Sequence, residues 1–383
     1  MKDLLSDCVH CGFCLPTCPT YLLWGQEPDS PRGRINLMEQ GVFDGSAALH
    51  FDRCLGCMAC VTACPSGVRY DLLIEQTRAR VEATHRRSLR ERFLRFGIFS
   101  LFPYPGRLSL IRPFLLLYQA SRLPTPKKLA LLPRLTRRER LPERLPAQGK
   151  KRAVVGMLTG CVQSVFFPGV NAATARVLAA EGCEVVIPRG QGCCGALSVH
   201  NGRLAEGERF AASLARSFTD VDFLVVNSAG CGSSLKHSPL GPKTRDLAEI
   251  LVELGPVAER HPLPVTAAYH DACHLSHAQG IRSQPRRLLA AIPSLTIKEI
   301  RDPDICCGSA GIYNLLQPSA AADLGARKAA SVMATGADVL VTANPGCMMQ
   351  IAAEVRRAGG LISVAHIAEV LDASLRATPL PPR

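Results

Sequence analysis

The 383-residue chain contains no run of about 18 apolar residues, so a membrane-crossing helix is not expected. No apolar h-region precedes Cys8, which argues against secretion and for a cytoplasmic location. No Walker loop occurs, and no Gly-x-Gly-x-x-Gly is expected to follow a strand. Nothing therefore offers a flavin or nicotinamide a recognisable seat, and taking hydride from an alcohol carbon needs such a carrier. Between residues 86 and 150 there is also no cysteine, although the whole chain has 17. That many cysteines in a chain not built for export point to metal or redox chemistry rather than a disulfide scaffold.

The charge is as uneven as the cysteine. The net charge is +13, yet residues 86–145 hold fifteen Lys/Arg against three acids, a net +12, so the basicity belongs to one segment. It includes Arg86, Arg87, Arg90, Arg92, Arg95, Arg107, Arg112, Arg122, Lys127, Lys128, Arg134, Arg137, Arg138, Arg140 and Arg144. Apolar clusters Phe93–Phe102 and Leu108–Tyr118 alternate with it, interrupted by Arg107, Arg112 and Pro113. Such a segment suits the interface of an anionic membrane, or a linker whose arginines meet acidic faces of a partner. A nucleic-acid interface would use similar residues, but the cysteine pattern speaks for other work, and no nucleic-acid partner is expected.

Composition shifts near 85 and 150, and a repeat beyond, divide the chain into 1–85, 86–150, 151–262 and 263–383. In the last two parts, strand-like runs end in cysteine four times: Ala153–Cys161, Phe223–Cys231, Val265–Cys273 and Val339–Cys347. Cys-Cys-Gly occurs twice, at Cys193-Cys194-Gly195 and Cys306-Cys307-Gly308. The corresponding cysteines are offset by 112, 113 and 116 residues. Helix-like stretches lie between, at Ala172–Glu181, Leu204–Phe218 and Ala321–Thr335. Strand–helix alternation predicts two pseudo-symmetric α/β units with parallel sheets, behind a helical and loop-rich α+β N-terminal domain. Their marked cysteines would share the carboxyl edge of each sheet, where open α/β folds place ligands. Cys183 has no counterpart in the second repeat and reads as core.

Cys8-x2-Cys11-x2-Cys14-x3-Cys18-Pro19 and Cys54-x2-Cys57-x2-Cys60-x3-Cys64-Pro65 share one spacing. It is the two-cluster ferredoxin pattern, in which the fourth cysteine of each run crosses to the other cluster. Two 4Fe–4S clusters are thus expected, one on Cys8, Cys11, Cys14 and Cys64, the other on Cys54, Cys57, Cys60 and Cys18. A pair of zinc knuckles would use ligands in pairs and would not explain the Cys-Pro endings. Cys161, Cys193, Cys194 and Cys231 form a second kind of set, and Cys273, Cys306, Cys307 and Cys347 another. Either four-sulfur pocket could take iron–sulfur or zinc.

Tandem Cys-Cys-Gly domains behind such a ferredoxin resemble the iron–sulfur subunits that serve flavin 2-hydroxy-acid dehydrogenases and heterodisulfide reductases. The likeness is greatest to the glycolate oxidase (glycolate dehydrogenase) type. It is carried by Cys8-Val-His-Cys-Gly-Phe-Cys-Leu-Pro-Thr-Cys-Pro-Thr-Tyr21, Pro31-Arg-Gly-Arg-Ile35 and Cys64-Pro-Ser-Gly-Val-Arg-Tyr70. Asn171-Ala-Ala-Thr-Ala-Arg-Val-Leu178, Cys306-Cys-Gly-Ser-Ala-Gly311 and Thr342-Ala-Asn-Pro-Gly-Cys347 continue it. The resemblance implies an electron-transfer subunit, inactive alone, taking electrons from a flavoprotein that oxidises glycolate to glyoxylate and passing them to a quinone. It implies a place in the cytoplasm, or peripheral on the inner face of the cell membrane. Subunits of glycerol-3-phosphate or lactate dehydrogenases share the architecture, and a heterodisulfide-type catalytic subunit is the further alternative. The fullest form of the motif ends in Cys-x-x-Cys. Here Ser228 and Asn344 replace the first cysteine of that pair, which disfavours a five-thiolate cluster and the heterodisulfide chemistry. The chain starts seven residues before Cys8, fewer than the resemblance leads one to expect.

Some polar residues carry two readings. His270, Asp271 and His274 open the second repeat, with His277 one turn on; capping and packing at a strand end is expected of them, the other reading being a proton carrier or extra ligand. His10 reads as a solvent-facing spacer. Arg32 and Arg34 are expected to pair with acids or carbonyls at a helix start rather than to bind an anion.

Overall fold

The computed structural model describes residues 2–121, 131–135 and 139–381. In the N-terminal part, helices Pro19–Trp24, Pro31–Glu39, Gly45–Arg53 and Ala59–Thr62 are short because cysteine runs interrupt them; Tyr70–Thr84 then runs unbroken. Pro19 and Pro31 sit at first helical positions, where a missing N–H costs nothing. Ile35, Met38, Phe51, Leu73, Ile74 and Val81 form the core. Asp29 is buried beneath them and holds Arg34, His50 and Arg53 at 3.6, 2.9 and 2.8 Å. Arg34 also donates to the His50 carbonyl at 2.7 Å, and Arg32 pairs with Glu27 at 2.6 Å. The Pro31–Ile35 stretch is therefore an internal brace.

Two helices form within the described residues of the basic segment. Helix Pro105–Ala120 lies on Cys161–Phe166 of the first repeat, while Ile98 and Phe99 of Leu89–Leu101 pack with Ile312 of the second; Leu101, Leu108 and Leu115 join the core common to both repeats. Arg112 donates to the Val165 carbonyl at 2.5 Å. Arg87 and Arg95 are held among Asp52, Glu82 and Glu91, so part of the segment's charge is neutralised inside the protein. Phe93, Phe96, Leu110, Phe114 and Leu117 stay exposed. Arg122, Lys127, Lys128, Arg137 and Arg138 lie outside the described residues. Among the described residues no helix is long and apolar enough to cross a membrane.

The first repeat is built on β1 (Arg144–Leu145), β2 (Ala153–Leu158), β3 (Cys183–Val186), β4 (Phe223–Val226) and β5 (Thr244–Asp246), in the order β1-β3-β2-β4-β5. Only β1 is antiparallel, and it starts this sheet a few residues before the boundary expected at 151. The second repeat has β6 (Thr266–Tyr269), β7 (Thr296–Glu299), β8 (Val339–Thr342) and β9 (Ser363–His366), in the all-parallel order β7-β6-β8-β9. Without β1 the two orders are the same. Helix Pro168–Ala180 packs on Ile367–Leu375, and its counterpart pair, Ser283–Ala290 and Leu247–Leu254, repeats the contact. Arg176 spans the first of these joints with bonds of 2.8 and 2.7 Å to Asp372. Cys183 is fully buried in the first core.

Two sequence expectations need correction here. The marked cysteines do not end strands. The ladders stop at Leu158, Val226, Tyr269 and Thr342, where polar residues and turns take over. Cys161 and Cys273 open helices, while Cys231 and Cys347 lie in the first turns of Ala229–Lys236 and Pro345–Arg357. A glycine fingerprint does follow a strand: Gly190-Gln-Gly-Cys-Cys-Gly195 comes after β3. The helix behind it, Ala196–Val199, has only four residues, too short to present the amides and dipole that hold a pyrophosphate.

Candidate metal centres

Three cavities lie in series. The outermost, about 30 Å³, is lined by Cys8, Cys11, Cys14 and Cys64, with Cys60 and Tyr70 also in its wall. The next, about 20 Å³, is lined by Cys18, Cys54, Cys57 and Cys60, again with Tyr70. The third, about 280 Å³, shares Cys54 and Leu55 with the second, and all eight marked cysteines of the two repeats line it. Burial deepens from the first cavity to the second: Cys11 is exposed and Cys8, Cys14 and Cys64 half-buried, whereas Cys18, Cys54 and Cys57 are buried and Cys60 half-buried.

The surroundings of these thiols fit anionic sulfur. Burial alone would raise the Cys54 pKa. The Arg34 and Arg78 guanidiniums, helped by bonds from the Gly56 amide (3.4 Å) and the Tyr70 hydroxyl (3.8 Å), bring it below the usual thiol range. Burial pushes Cys57 and Cys60 up, and the neighbouring Cys273 adds to the rise at Cys57. Thiols crowded so that they cannot all ionise in a bare protein are the donor set that a positively charged iron–sulfur core stabilises. The residues present therefore fit the clusters that the spacing implies.

In the first repeat, Cys161 Sγ donates to Cys193 Sγ at 3.6 Å. That bond, with another from Cys194, outweighs burial and brings Cys193 down to about 4. In the second repeat the lowered thiol is Cys307, the other member of its pair, held down by Cys306 and Cys347 with a smaller contribution from His270. The glycine after each pair has one cause. Gly195 and Gly308 lie at φ +88° and +87°, and an added Cβ would stand 2.5 Å from the Gly207 carbonyl oxygen or 2.6 Å from that of Ala321. Only glycine takes that conformation so close to the next helix.

Ser228 and Asn344, which stand where the fuller motif has cysteine, meet across the repeats. Ser228 Oγ donates to Asn344 Oδ1 at 3.4 Å, and Asn344 Nδ2 donates to Cys347 Sγ at 3.5 Å. The stretch from Asn171 acts further off: Asn171 donates to the Thr159 carbonyl at 2.8 Å and accepts from Asn227 at 2.9 Å, fixing the loops before Cys161 and Ser228.

The histidines separate. His274 Nε2 donates to the Gly56 carbonyl at 3.0 Å, and its ring stacks on His200 with centroids 4.9 Å apart. Burial, then His200, pushes its pKa down to about 3, so it joins the domains as a neutral ring. His277 lies 3.0 Å from Thr62 Oγ1, and Asp271 is held by Arg286 at 2.9 and 2.7 Å, not at a helix cap. His270, expected to cap or pack, is buried but caps nothing: its ring stands beside Cys307 and Cys347. His10 is exposed, 3.5 Å from Glu39. Sequence reasoning missed Arg78, which donates to the carbonyls of Cys54 and His200, and His200 itself. Neither belongs to a motif; only the fold brings them to the seam.

Comparison with known proteins agrees with this arrangement. The 4Fe-4S dicluster domain family matches residues 4–68, and the cysteine-rich (CCG) domain family matches residues 155–236 and 267–352. The probable glycolate oxidase iron–sulfur subunit of Bacillus subtilis is 37% identical, over 96% of this chain and 93% of its own. The glycolate oxidase iron–sulfur subunit of Escherichia coli is 34% identical, over 97% and 95%. A hypothetical protein from Helicobacter pylori shares the fold at 9% identity and a TM-score of 0.53, over 85% of this chain and 64% of that one. Likeness that runs through both the dicluster part and both repeats shows that the chain belongs to the family of glycolate oxidase iron–sulfur subunits.

Proposed function

We propose that the chain is the electron-carrying subunit of a complex that oxidises glycolate to glyoxylate on a separate flavoprotein. The observation that carries this reading is the series of three thiol-lined cavities with shared walls. Cys8, Cys11, Cys14 and Cys64 would hold one 4Fe–4S cluster, near the surface. Cys18, Cys54, Cys57 and Cys60 would hold a second, inside. The cysteines of each repeat would hold a further iron–sulfur or zinc group. Bound there, iron–sulfur clusters supply one-electron storage. The chain's own residues set the surroundings. Arg34 and Arg78 offset the negative charge gathered at Cys54, and Tyr70 lies against the wall between the first two sites. The His274 bond to the Gly56 carbonyl fixes the second repeat against the loop that carries Cys57. Electrons would thus run from the half-exposed outer site inward to the repeats, and on to a quinone.

The two basic helices would lay this assembly on the inner face of the cell membrane. Their exposed Phe93, Phe96, Leu110, Phe114 and Leu117 stand among exposed Arg86, Arg90, Arg92 and Arg107. Each basic residue at an anionic surface contributes about 1 kcal/mol, so a few suffice for reversible binding.

The test uses chain purified and reconstituted without oxygen. It should reduce a dye with glycolate only after the flavoprotein is added; turnover by the chain alone, free of flavin, would contradict the reading. The same preparation should sediment with vesicles containing anionic lipid at low salt and stay behind at high salt. Indifference to such vesicles at low salt leaves the basic helices to the partner subunit.

A further inference from the structure

The two repeats place different residues at one corner of the site. Three positions before Cys161 the first repeat has Leu158, and three before Cys273 the second has His270. Both are 1% exposed. Leu158 packs in an apolar cluster beside Cys161, Cys193 and Cys194. His270 continues from β6, and its backbone N–H is satisfied by the Val341 carbonyl at 2.9 Å. Its ring is another matter. Neither Nδ1 nor Nε2 has a nitrogen or oxygen hydrogen-bond partner among the described residues, and the ring's interaction is with the Cys307 thiol. A ring nitrogen of His270 and the sulfurs of Cys307 and Cys347 all lie within 4.8 Å of one another.

Burying a polar group without a good partner costs about 1–3 kcal/mol, and a thiol is a weak one for an imidazole. Leucine would avoid that cost, as the first repeat shows. Neutral imidazole beside thiolate is also the mixed donor set that borderline transition metals accept. The same repeat lacks a cysteine at Asn344, whose amide instead donates to Cys347.

We propose that His270 is a metal ligand: with Cys307 and Cys347 it forms a mixed imidazole–thiolate corner of the metal group in the second repeat, while the group in the first repeat is bound by sulfur alone. The inference rests on the reading that the second repeat holds a thiophilic metal, whether iron of a sulfur cluster or a single zinc. Loss of a direct ligand should weaken metal retention by at least the roughly 10–100-fold that disturbing an outer partner costs.

The test uses the full chain, purified without oxygen, with 14N- or 15N-labelled histidine. Metal is counted, and nitrogen at the metal is sought by pulsed EPR for iron and by X-ray absorption at the zinc edge. Wild type should show one imidazole nitrogen bound outside the ferredoxin clusters. His270→Leu, which copies Leu158, should lose that signal and release its metal to a chelator more readily. His270→Cys should keep the metal with sulfur only. An unchanged nitrogen signal in His270→Leu overturns the proposal, as does wild type whose second-repeat metal carries no nitrogen. The latter result decides even if His270→Leu fails to fold. A Cys307→Ser chain with unaltered metal content would instead refute the underlying reading that this repeat holds metal.

Discussion

The two Cys-Cys-Gly repeats have one strand order, one glycine geometry and matching cysteines, yet they sit differently in the protein. The second meets the ferredoxin part through its cysteines: Cys57, Leu55 and Cys306 share an apolar cluster that Cys273 borders. The first meets it through His200, whose carbonyl accepts from Arg78 and whose ring lies 3.2 Å from Glu75, and packs Cys161, Cys193 and Cys194 among its own Leu214, Leu224 and Leu235. Duplication preserved the scaffold, and position relative to the inner ferredoxin site set the two centres apart. On the reading proposed above, the second repeat, whose cysteines border Cys57, would receive electrons first.

The largest expected effect separates the repeats by this position. In the assembled complex, Cys306→Ser should cut glycolate-dependent reduction of the acceptor by roughly 10–100-fold or more. Cys193→Ser should cut it less. Equal losses would break the comparison and make the repeats equal partners in transfer.

The scaffold they share predicts equality elsewhere. Gly195→Ala and Gly308→Ala each force a side chain into a left-handed conformation against a helix carbonyl. Each should destabilise by about 1–3 kcal/mol, read from urea midpoints. A loss confined to one repeat would mean that the two triplets serve different ends.

A smaller effect distinguishes the caps of the last helices. Asp246 caps Leu247–Leu254, accepting from the Ala248 amide at 2.8 Å, where the second repeat uses His366 on Ile367–Leu375. Burial, opposed by that amide, raises the Asp246 pKa from 3.8 to about 7. A carboxyl with a raised folded pKa binds its proton more tightly in the folded state. Stability from this group is thus present at low pH and is lost as pH rises through about 4 to 7. Between pH 6 and pH 8 the loss should be about 1 kcal/mol. Asp246→Asn, which can still cap, should flatten the slope; an unchanged slope would assign it to other groups.

Much of this was legible in the sequence because period and spacing carry it. The ferredoxin runs, the offset repeats, the helices near Leu204 and Ala321 and the buried Cys183 all follow from local pattern. What was not legible depends on approach between distant segments. No local signal distinguishes His270 as a side chain set beside thiols from His270 as a cap, since the deciding neighbours are Cys307 and Cys347. Arg87 and Arg95 count as free charge in a composition tally, yet Asp52, Glu82 and Glu91 fold back to meet them. The glycine fingerprint at Gly190–Gly195 shows the converse: the pattern is present, and the length of the following helix denies it a nucleotide.

The outer and inner ferredoxin sites, on the reading proposed above, exchange their fourth cysteines, and the inner one adjoins the second repeat. EPR of the reduced Cys18→Ser chain tests this most directly. The cluster on Cys54, Cys57 and Cys60 should be damaged or lost while that on Cys8, Cys11 and Cys14 persists. Loss of the outer cluster with the inner one intact would contradict both the exchange and the path drawn from it.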